Sequence, residues 1–551
     1  MEGVLRDNMH AVMHRTKPVA FLFKFLERLA NQSRSFRSLA CLSVILAAIS
    51  VRVSRRRKQR EAQLKSAVAK LKRLQLPPGP WGWPILGIIP SLDREAPQYT
   101  IAEMSKTYGP VVSFRLGSHL VVVLNDYDSI REAFVKSGDI FSDRPRLTMF
   151  NEVHEGMPGG GIVLSFYENH WKEQRRFALK ALRSLGMGRA TMESKICTEA
   201  RHIVQSFDEQ KGEPFRSAKI TGLAVSNIIC QLTVGRRWDY GDPYFLRIVS
   251  HMMYLFEEMG VNASNVLPWL KYVPGSGYRR LLEVRSVIRE EFYIPQVREH
   301  VRTFDPNNIR DFTDAYLQEY YLKYDSVYAS NEDAVIAALA DLFGAGTDTT
   351  ETVIDWFLKM MIKRPDVQEK LQQEMDDVVG RHRLPQWSDR SKLHYMQATL
   401  NEVLRYTSAG PFGVPHSPIE DTEFRGYYIP KEAVVIANIH AVLYNPDVFP
   451  EPDVFRPSRF LDAEGKFFKH EHMIQFGIGR RGCIGEQLAQ MELFTFITHI
   501  FHQFTLTAPD GNPENVSLAS HLGLSKNALP YELRATRRKN SDIQENARDM
   551  I

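Results

Sequence analysis

A chain of 551 residues that is 44% hydrophobic can bury a large core, and its four scattered cysteines (Cys41, Cys197, Cys230, Cys483) exclude a disulfide framework or a clustered zinc site. The net charge of +5 hides an asymmetry: residues 1–75 hold 17 Lys+Arg against 4 Asp+Glu, a balance of +13 that leaves −8 for the remainder. A basic nucleic-acid-binding body is thereby excluded. The N-terminal segment points to a membrane surface, because no aromatic residues interleave its basic run.

Residues 38–51 form an uncharged apolar run between Arg37 and Arg52. As a helix it reaches about 21 Å, short of the roughly 30 Å hydrocarbon core, and snorkelling of the flanking arginines extends it. Arg55-Arg56-Arg57-Lys58 follows, which places the downstream chain on the cytosolic side. Upstream, Leu22, Phe25, Leu26 and Leu29 share a face suited to the membrane interface. The same Arg-rich, acid-poor composition also fits a mitochondrial transit peptide.

Leu76-Pro77-Pro78-Gly79-Pro80 breaks any helix and begins the body as a semi-rigid linker. Residues 111–116 and 120–124 are β-branched runs that predict a hairpin across Gly117-Ser118-His119. From about residue 170 the pattern is helical. Trp171 and Arg175 share a helix face and can address one target, while Lys172, Arg176 and Lys180 make a cationic stripe for an acidic partner.

Residues 331–364 predict a helix of about 50 Å, with Asn331 as cap, Glu332 and Asp333 in the first turn and Pro365 as stop. Its apolar positions, Phe343 among them, are interrupted by Gly344-Ala345-Gly346-Thr347-Asp348-Thr349-Thr350. Each glycine costs about 1 kcal/mol, and the Thr349 hydroxyl can bond the Ala345 carbonyl and distort the helix. Either this is a glycine-kinked packing helix, or it opens a groove in which Asp348 and Thr349 relay protons.

Further on, Glu402 and Arg405 are one helical turn apart, Arg459 follows in Pro457-Ser458-Arg459-Phe460, and 409–416 is a turn-rich segment before a strand at 433–438. The stretch Phe476-Gly477-Ile478-Gly479-Arg480-Arg481-Gly482-Cys483-Ile484-Gly485 then runs into an apolar-periodic helix (Leu488, Met491, Phe494, Ile497). A cysteine just before a helix N-terminus faces free N–H groups and the positive dipole end, which favours its thiolate. Glycines admit something large and flat, and arginines offer forked donors to carboxylates. Together these describe a haem site with a cysteine axial ligand.

Trp-x-x-x-Arg (171–175), Ala-Gly-x-Asp-Thr-Thr (345–350), Glu-x-x-Arg (402–405) and Phe-x-x-Gly-x-Arg-x-Cys-x-Gly (476–485), in that order, resemble the motifs of the cytochromes P-450. The stretches 183–189 and 310–317 most resemble the animal microsomal family-2 group. The resemblance implies a mainly α fold with small β-sheets: a single haem domain (76–540) behind a basic, anchor-bearing segment (1–75), and a polar tail (541–551). It implies haem b with Cys483 on the iron. Phe476, Gly479, Gly485, Ala345 and Gly346 would contact the cofactor, and Trp171, Arg175, His416 and Arg481 would bind it through its propionates. Phe343, Phe412, Val414 and Leu522 would line the substrate space, and Glu402, Arg405 and Arg459 would form a buried ion-pair network, with Ser458 where the family usually has glutamate. The implied reaction inserts one atom of O2 into an apolar fatty acid, steroid or foreign compound, Asp348 and Thr349 managing protons. Electrons would come from NADPH through NADPH–cytochrome P-450 reductase, with cytochrome b5 as a second donor. The implied location is the endoplasmic reticulum membrane, the catalytic domain in the cytosol. A peroxide isomerase or dehydratase of the same fold and a non-catalytic haem carrier are the alternatives.

Overall fold

The order of apolar and polar residues in one 32-residue helix sets the arrangement of everything around it. The computed structural model describes residues 74–93, 95–153, 161–321 and 332–539; the apolar run 38–51, the patch at 19–30, Asn331 and the tail 541–551 lie outside the described residues. The helices of ten residues or more are α1 (Pro97–Tyr108), α2 (Asn169–Ser184), α3 (Ala190–Asp208), α4 (Ala218–Thr233), α5 (Pro243–Val261), α6 (Tyr278–Ile288), α7 (Ile294–Thr303), α8 (Glu332–Lys363), α9 (Pro365–Val378), α10 (His394–Thr407) and α11 (Glu486–Gln503). Among the described residues no helix is long and apolar enough to cross a membrane.

Helix α8 is buried on nearly every side, wrapped by α4, α5, α7, α9, α10 and α11. It runs unbroken through 344–350, with the Thr349 hydroxyl on the Ala345 carbonyl as the sequence suggests. A Cβ on Gly344 would meet the Phe256 ring at 1.8 Å, and one on Gly346 would meet Ile229 Cδ1 at 2.6 Å. The glycines let α5 and α4 close onto α8.

The sheets are small. Strands β1 (Val111–Leu116) and β2 (His119–Leu124) form an antiparallel hairpin, and β2 pairs in parallel with β5 (Val434–Ala437). The hairpin turn is two residues, with Gly117 at φ +58, one residue tighter than the spacing predicts. Among the described residues three two-stranded ribbons complete the set: β3 (Thr422–Phe424) with β4 (Tyr427–Ile429), β6 (Phe504–Thr507) with β9 (Arg534–Arg537), and β7 (Ser520–Leu522) with β8 (Lys526–Ala528).

The Pro-rich segment is not a free linker. Ser113 on β1 donates its N–H to the Pro78 carbonyl (2.9 Å) and its hydroxyl to the Pro77 carbonyl (2.6 Å), and Gly79 passes so close to Ser113 that no Cβ fits. Pro77 and Pro78 have no N–H to lose there, and their carbonyls serve as the acceptors.

On α10, Glu402 takes two bonds from Arg405 (2.7 and 2.9 Å) and one from Arg459 (3.0 Å to the nearer oxygen), with Glu402 and Arg405 buried and Arg459 half-buried. The Arg456 N–H adds a bond of 2.7 Å to the same carboxylate, and Arg405 reaches the Leu443 carbonyl at 3.1 Å. Removing one partner of such a set leaves a buried charge uncompensated, at about 3–5 kcal/mol.

Candidate active site

A cavity of about 380 Å3 lies between α8, the loop before α11 and the segment 409–416. The loop is shaped by Gly477 (φ +70) and Gly479 (φ +81), conformations that other residues resist, and by a bond from the Cys483 N–H to the Phe476 carbonyl (2.9 Å). Cys483 is exposed, and the surface it exposes is cavity wall. Burial pushes its thiol up. The Gly485 N–H opposes that shift, as do Arg175 and the Glu486 N–H, while the Glu486 carboxylate adds to it. The helix end thus favours the thiolate as the sequence suggests while burial opposes it, and a cation bound at the sulfur would favour the thiolate further.

Arg285 and Arg289 line the cavity from α6 and the turn after it, and three further arginines cluster by the cysteine loop: Arg144, Arg175 from α2, and Arg481. Among the described residues their guanidinium donors go to carbonyl oxygens. Arg144 reaches Val163 (2.8 Å), Val414 (3.0 Å) and Pro415 (2.8 Å); Arg481 reaches Ser142 (2.9 Å), Ile162 and Ser165; Arg175 reaches Gly482. Burial lowers Arg144 to about 9, helped by Arg175, and Arg481 to about 8, helped by Arg144. Clustered buried cations of this kind call for an anionic ligand. Arg144 carries no sequence pattern of its own; it sits in an irregular loop and was missed.

His416 also lines the wall, buried, with Nδ1 2.6 Å from the Phe141 carbonyl and its ring stacked 3.8 Å from that of Phe134. Burial, and then Arg144, hold it well below its ordinary value, so the ring is neutral and its bond to Phe141 is an Nδ1–H donation. Trp171 does not line the cavity. Its Nε1 donates to the Ile162 carbonyl (2.8 Å), and the Arg481 guanidinium lies 3.9 Å over its ring.

Phe476, Gly485, Ala345, Gly346, Phe412 and Val414 are on the wall as expected. Gly479 is not: a Cβ there would meet the Phe134 carbonyl at 2.0 Å, so this glycine admits the π-helical turn Glu132–Lys136. Phe343 is turned away and packs on Phe292 at 5.3 Å. Leu522, at the end of β7, gives way on the wall to Leu524.

Thr349 is the exposed residue of an otherwise buried stretch of α8; its hydroxyl faces the cavity and donates to the Ala345 carbonyl at 2.7 Å. Asp348 is buried off the wall, accepts from the Ser525 hydroxyl (2.7 Å), and is pushed up to about 6 by burial. Glu492 on α11, which sequence reading missed, reaches the wall with its carboxyl raised by burial well above the usual range.

A sequence profile of the family described as Cytochrome P-450 matches residues 77–535. The chain belongs to the cytochrome P-450 family. It is 34% identical over 491 residues to cytochrome P-450 2U1 of Homo sapiens, covering 84% of this chain and 89% of that protein. It is 35% identical over 472 residues to cytochrome P-450 2D27 of Mesocricetus auratus (84% and 93% covered) and 37% over 457 residues to cytochrome P-450 2C1 of Oryctolagus cuniculus (82% and 92%). As a P-450 it has the mainly α fold with small sheets and is a haem monooxygenase, an oxidoreductase; haem and O2 come with the family. The residues present fit a haem. Its propionates would supply the negative charges that Arg144, Arg175 and Arg481 lack, and Cys483 lines the cavity beside Gly485, where a Cβ would stand 3.9 Å from the sulfur.

Proposed function

We propose that this P-450 is a membrane-anchored monooxygenase of small apolar molecules, with Cys483 as the iron ligand and Arg144, Arg175, Arg481 and His416 around the propionates. The observation that carries the assignment is the joint placement of one cysteine thiol, three carboxylate-seeking guanidiniums and the Thr349 hydroxyl on one cavity wall. Haem, when bound, supplies the binding and reductive activation of O2. The chain supplies the rest. The N–H groups of Gly485 and Glu486 point at the sulfur and tune it; Trp171 holds Arg481 from behind; Asp348, pushed up to about 6, exchanges a proton just below neutral pH; and the Thr349 hydroxyl stands at the cavity face of α8. Met252, Leu255, Phe256, Ile336 and Val353 make the opposite wall apolar, which favours a fatty acid, steroid or foreign compound and keeps water out.

Lys172, Arg176 and Lys180 form an exposed stripe on α2, the helix that also carries Arg175 to the cavity. That stripe suits an acidic electron donor such as NADPH–cytochrome P-450 reductase, with cytochrome b5 competing for it. Location at the endoplasmic reticulum, with 1–75 as anchor, 76–540 as catalytic domain and 541–551 as tail, draws support from two exposed apolar groups. Trp81, Trp83 and Ile85 follow the proline segment, and Trp269 and Tyr272 follow α5. The β1–β2 turn ties both to one side of the body, Gly117 N–H to Leu86 and Ser118 N–H to Val266, each at 3.0 Å.

Turnover with reductase, NADPH and isotopically labelled O2 tests the reading. Product carrying one labelled oxygen per molecule is expected. Product formed from a peroxide substrate without NADPH or O2 would replace the monooxygenase with an isomerase.

A further inference from the structure

Asp348 and Thr349 are adjacent in sequence but point to different sides of α8, as successive helical residues do, about 100° apart. The Thr349 hydroxyl is given to the Ala345 carbonyl. Asp348 lies off the cavity wall, and among the described residues the hydrogen-bond partner of its carboxylate is Ser525 Oγ, at 2.7 Å. Ser525 is itself buried and does line the cavity. It is held in the turn between β7 and β8 by its carbonyl, which accepts from the Gly523 N–H (2.8 Å), and by the next residue, whose N–H donates to the Ala409 carbonyl (2.7 Å).

The solvent side is also built. Gly523 packs on α5 so tightly that a Cβ would meet Glu257 Cα at 3.0 Å, and His521 Nε2 of β7 lies 3.1 Å from Glu257 Oε1. Both side chains of that pair are partly exposed.

We propose that Ser525 is the hydroxyl through which a proton passes from Asp348 to the cavity, with the His521–Glu257 pair on the solvent side of Asp348. The inference rests on the monooxygenase reading, with Asp348 as the stored proton, and adds the group that connects it to the cavity.

With Asp348 ionised, the Ser525 O–H donates to Oδ2. Once Asp348 is protonated the hydroxyl turns: its oxygen accepts from the carboxyl and its hydrogen points into the cavity. One transfer then breaks the carboxyl O–H, forms a new Oγ–H and releases the original hydroxyl hydrogen as a proton to an acceptor in the cavity. No electrons move, and Asp348 is left as carboxylate.

The groups that set its protonation come from every side. Burial raises it to about 6, the Ser525 bond lowers it, Glu257 on α5 raises it and His521 on β7 lowers it. Glu351, on the same helix, is raised well above the carboxylate range by burial and adds little charge near neutral pH.

The test uses full-length, haem-loaded protein with Ser525→Ala, Ser525→Thr and Asp348→Asn. In the resting protein, the infrared band of the protonated carboxyl, assigned by its loss in Asp348→Asn, should titrate at higher pH in Ser525→Ala, because a bond to the carboxylate form is lost. Ser525→Thr should restore the wild-type titration. In turnover, product formed per NADPH consumed should fall several-fold in Ser525→Ala, with peroxide rising, and recover in Ser525→Thr. Unchanged titration and coupling in Ser525→Ala, while Asp348→Asn uncouples, would overturn the Ser525 step alone. Intact coupling in Asp348→Asn would remove the stored proton and this proposal with it.

Discussion

The Arg481 guanidinium lies 3.9 Å over the face of Trp171, whose own N–H is spent on the Ile162 carbonyl at 2.8 Å. Trp171 is thus a fixed platform for a buried cation, and one that also ties α2 to the loop at 162. Its two functions separate by substitution. Trp171→Phe keeps an aromatic face and loses one hydrogen bond, for about 1 kcal/mol. Trp171→Ala loses the face and opens a cavity, for about 3–5 kcal/mol, and leaves Arg481 unsupported. Denaturant unfolding should rank them in that order, with haem content falling only in Trp171→Ala. Equal effects would deny the platform role.

Gly344 makes a sign test of the glycines on α8. Alanine in an exposed helix interior is favoured over glycine by about 1 kcal/mol. At Gly344 a Cβ would stand 1.8 Å from the Phe256 ring, so Gly344→Ala should destabilise by about 1–3 kcal/mol through overpacking. Gly344 is off the cavity wall, so the haem spectrum should not change. A stabilised Gly344→Ala variant would show that close packing of α5 is not what the glycine serves.

The raised carboxyl of Asp348 has a definite pH signature. Its value of about 6 lies above the 3.8 of an unburied aspartate, so the folded state binds more protons between those two values. Stability from this group is therefore present below about pH 4 and lost as pH rises towards 6, by up to about 3 kcal/mol. Asp348→Asn removes that dependence. The variant should gain on wild type between pH 4 and pH 7 in unfolding measurements, whereas parallel stability curves would place the carboxylate in a solvated setting.

What the sequence disclosed was local and periodic. The helix expected to stop at Pro365 runs Glu332–Lys363, and the β-branched runs before and after Gly117 pair as a hairpin. Glu402, Arg405 and Arg459 meet because two of them share a helix turn and the third lies in a short motif. Features that depend on distant segments were not legible. Ser525 and Asp348 are 177 residues apart, and Arg144 meets the carbonyl of Val414 across 270 residues. Phe343 was placed on the substrate side by family resemblance, yet the wall of α8 follows Leu342, Ala345, Gly346, Thr349 and Val353, a stripe one helical step away. The burial that opposes the helix end at Cys483 was not legible either, because a helix end is visible in a sequence and depth of burial is not.

The central claim is that Cys483 sulfur is the axial ligand of a haem. The absorption difference between reduced protein with and without carbon monoxide tests it directly, in wild type and in Cys483→Ser. The account predicts a far red-shifted Soret band in wild type that moves to shorter wavelength in Cys483→Ser. A wild-type protein that is folded and haem-loaded yet shows the shorter-wavelength band, or a red-shifted band that survives Cys483→Ser, would contradict it.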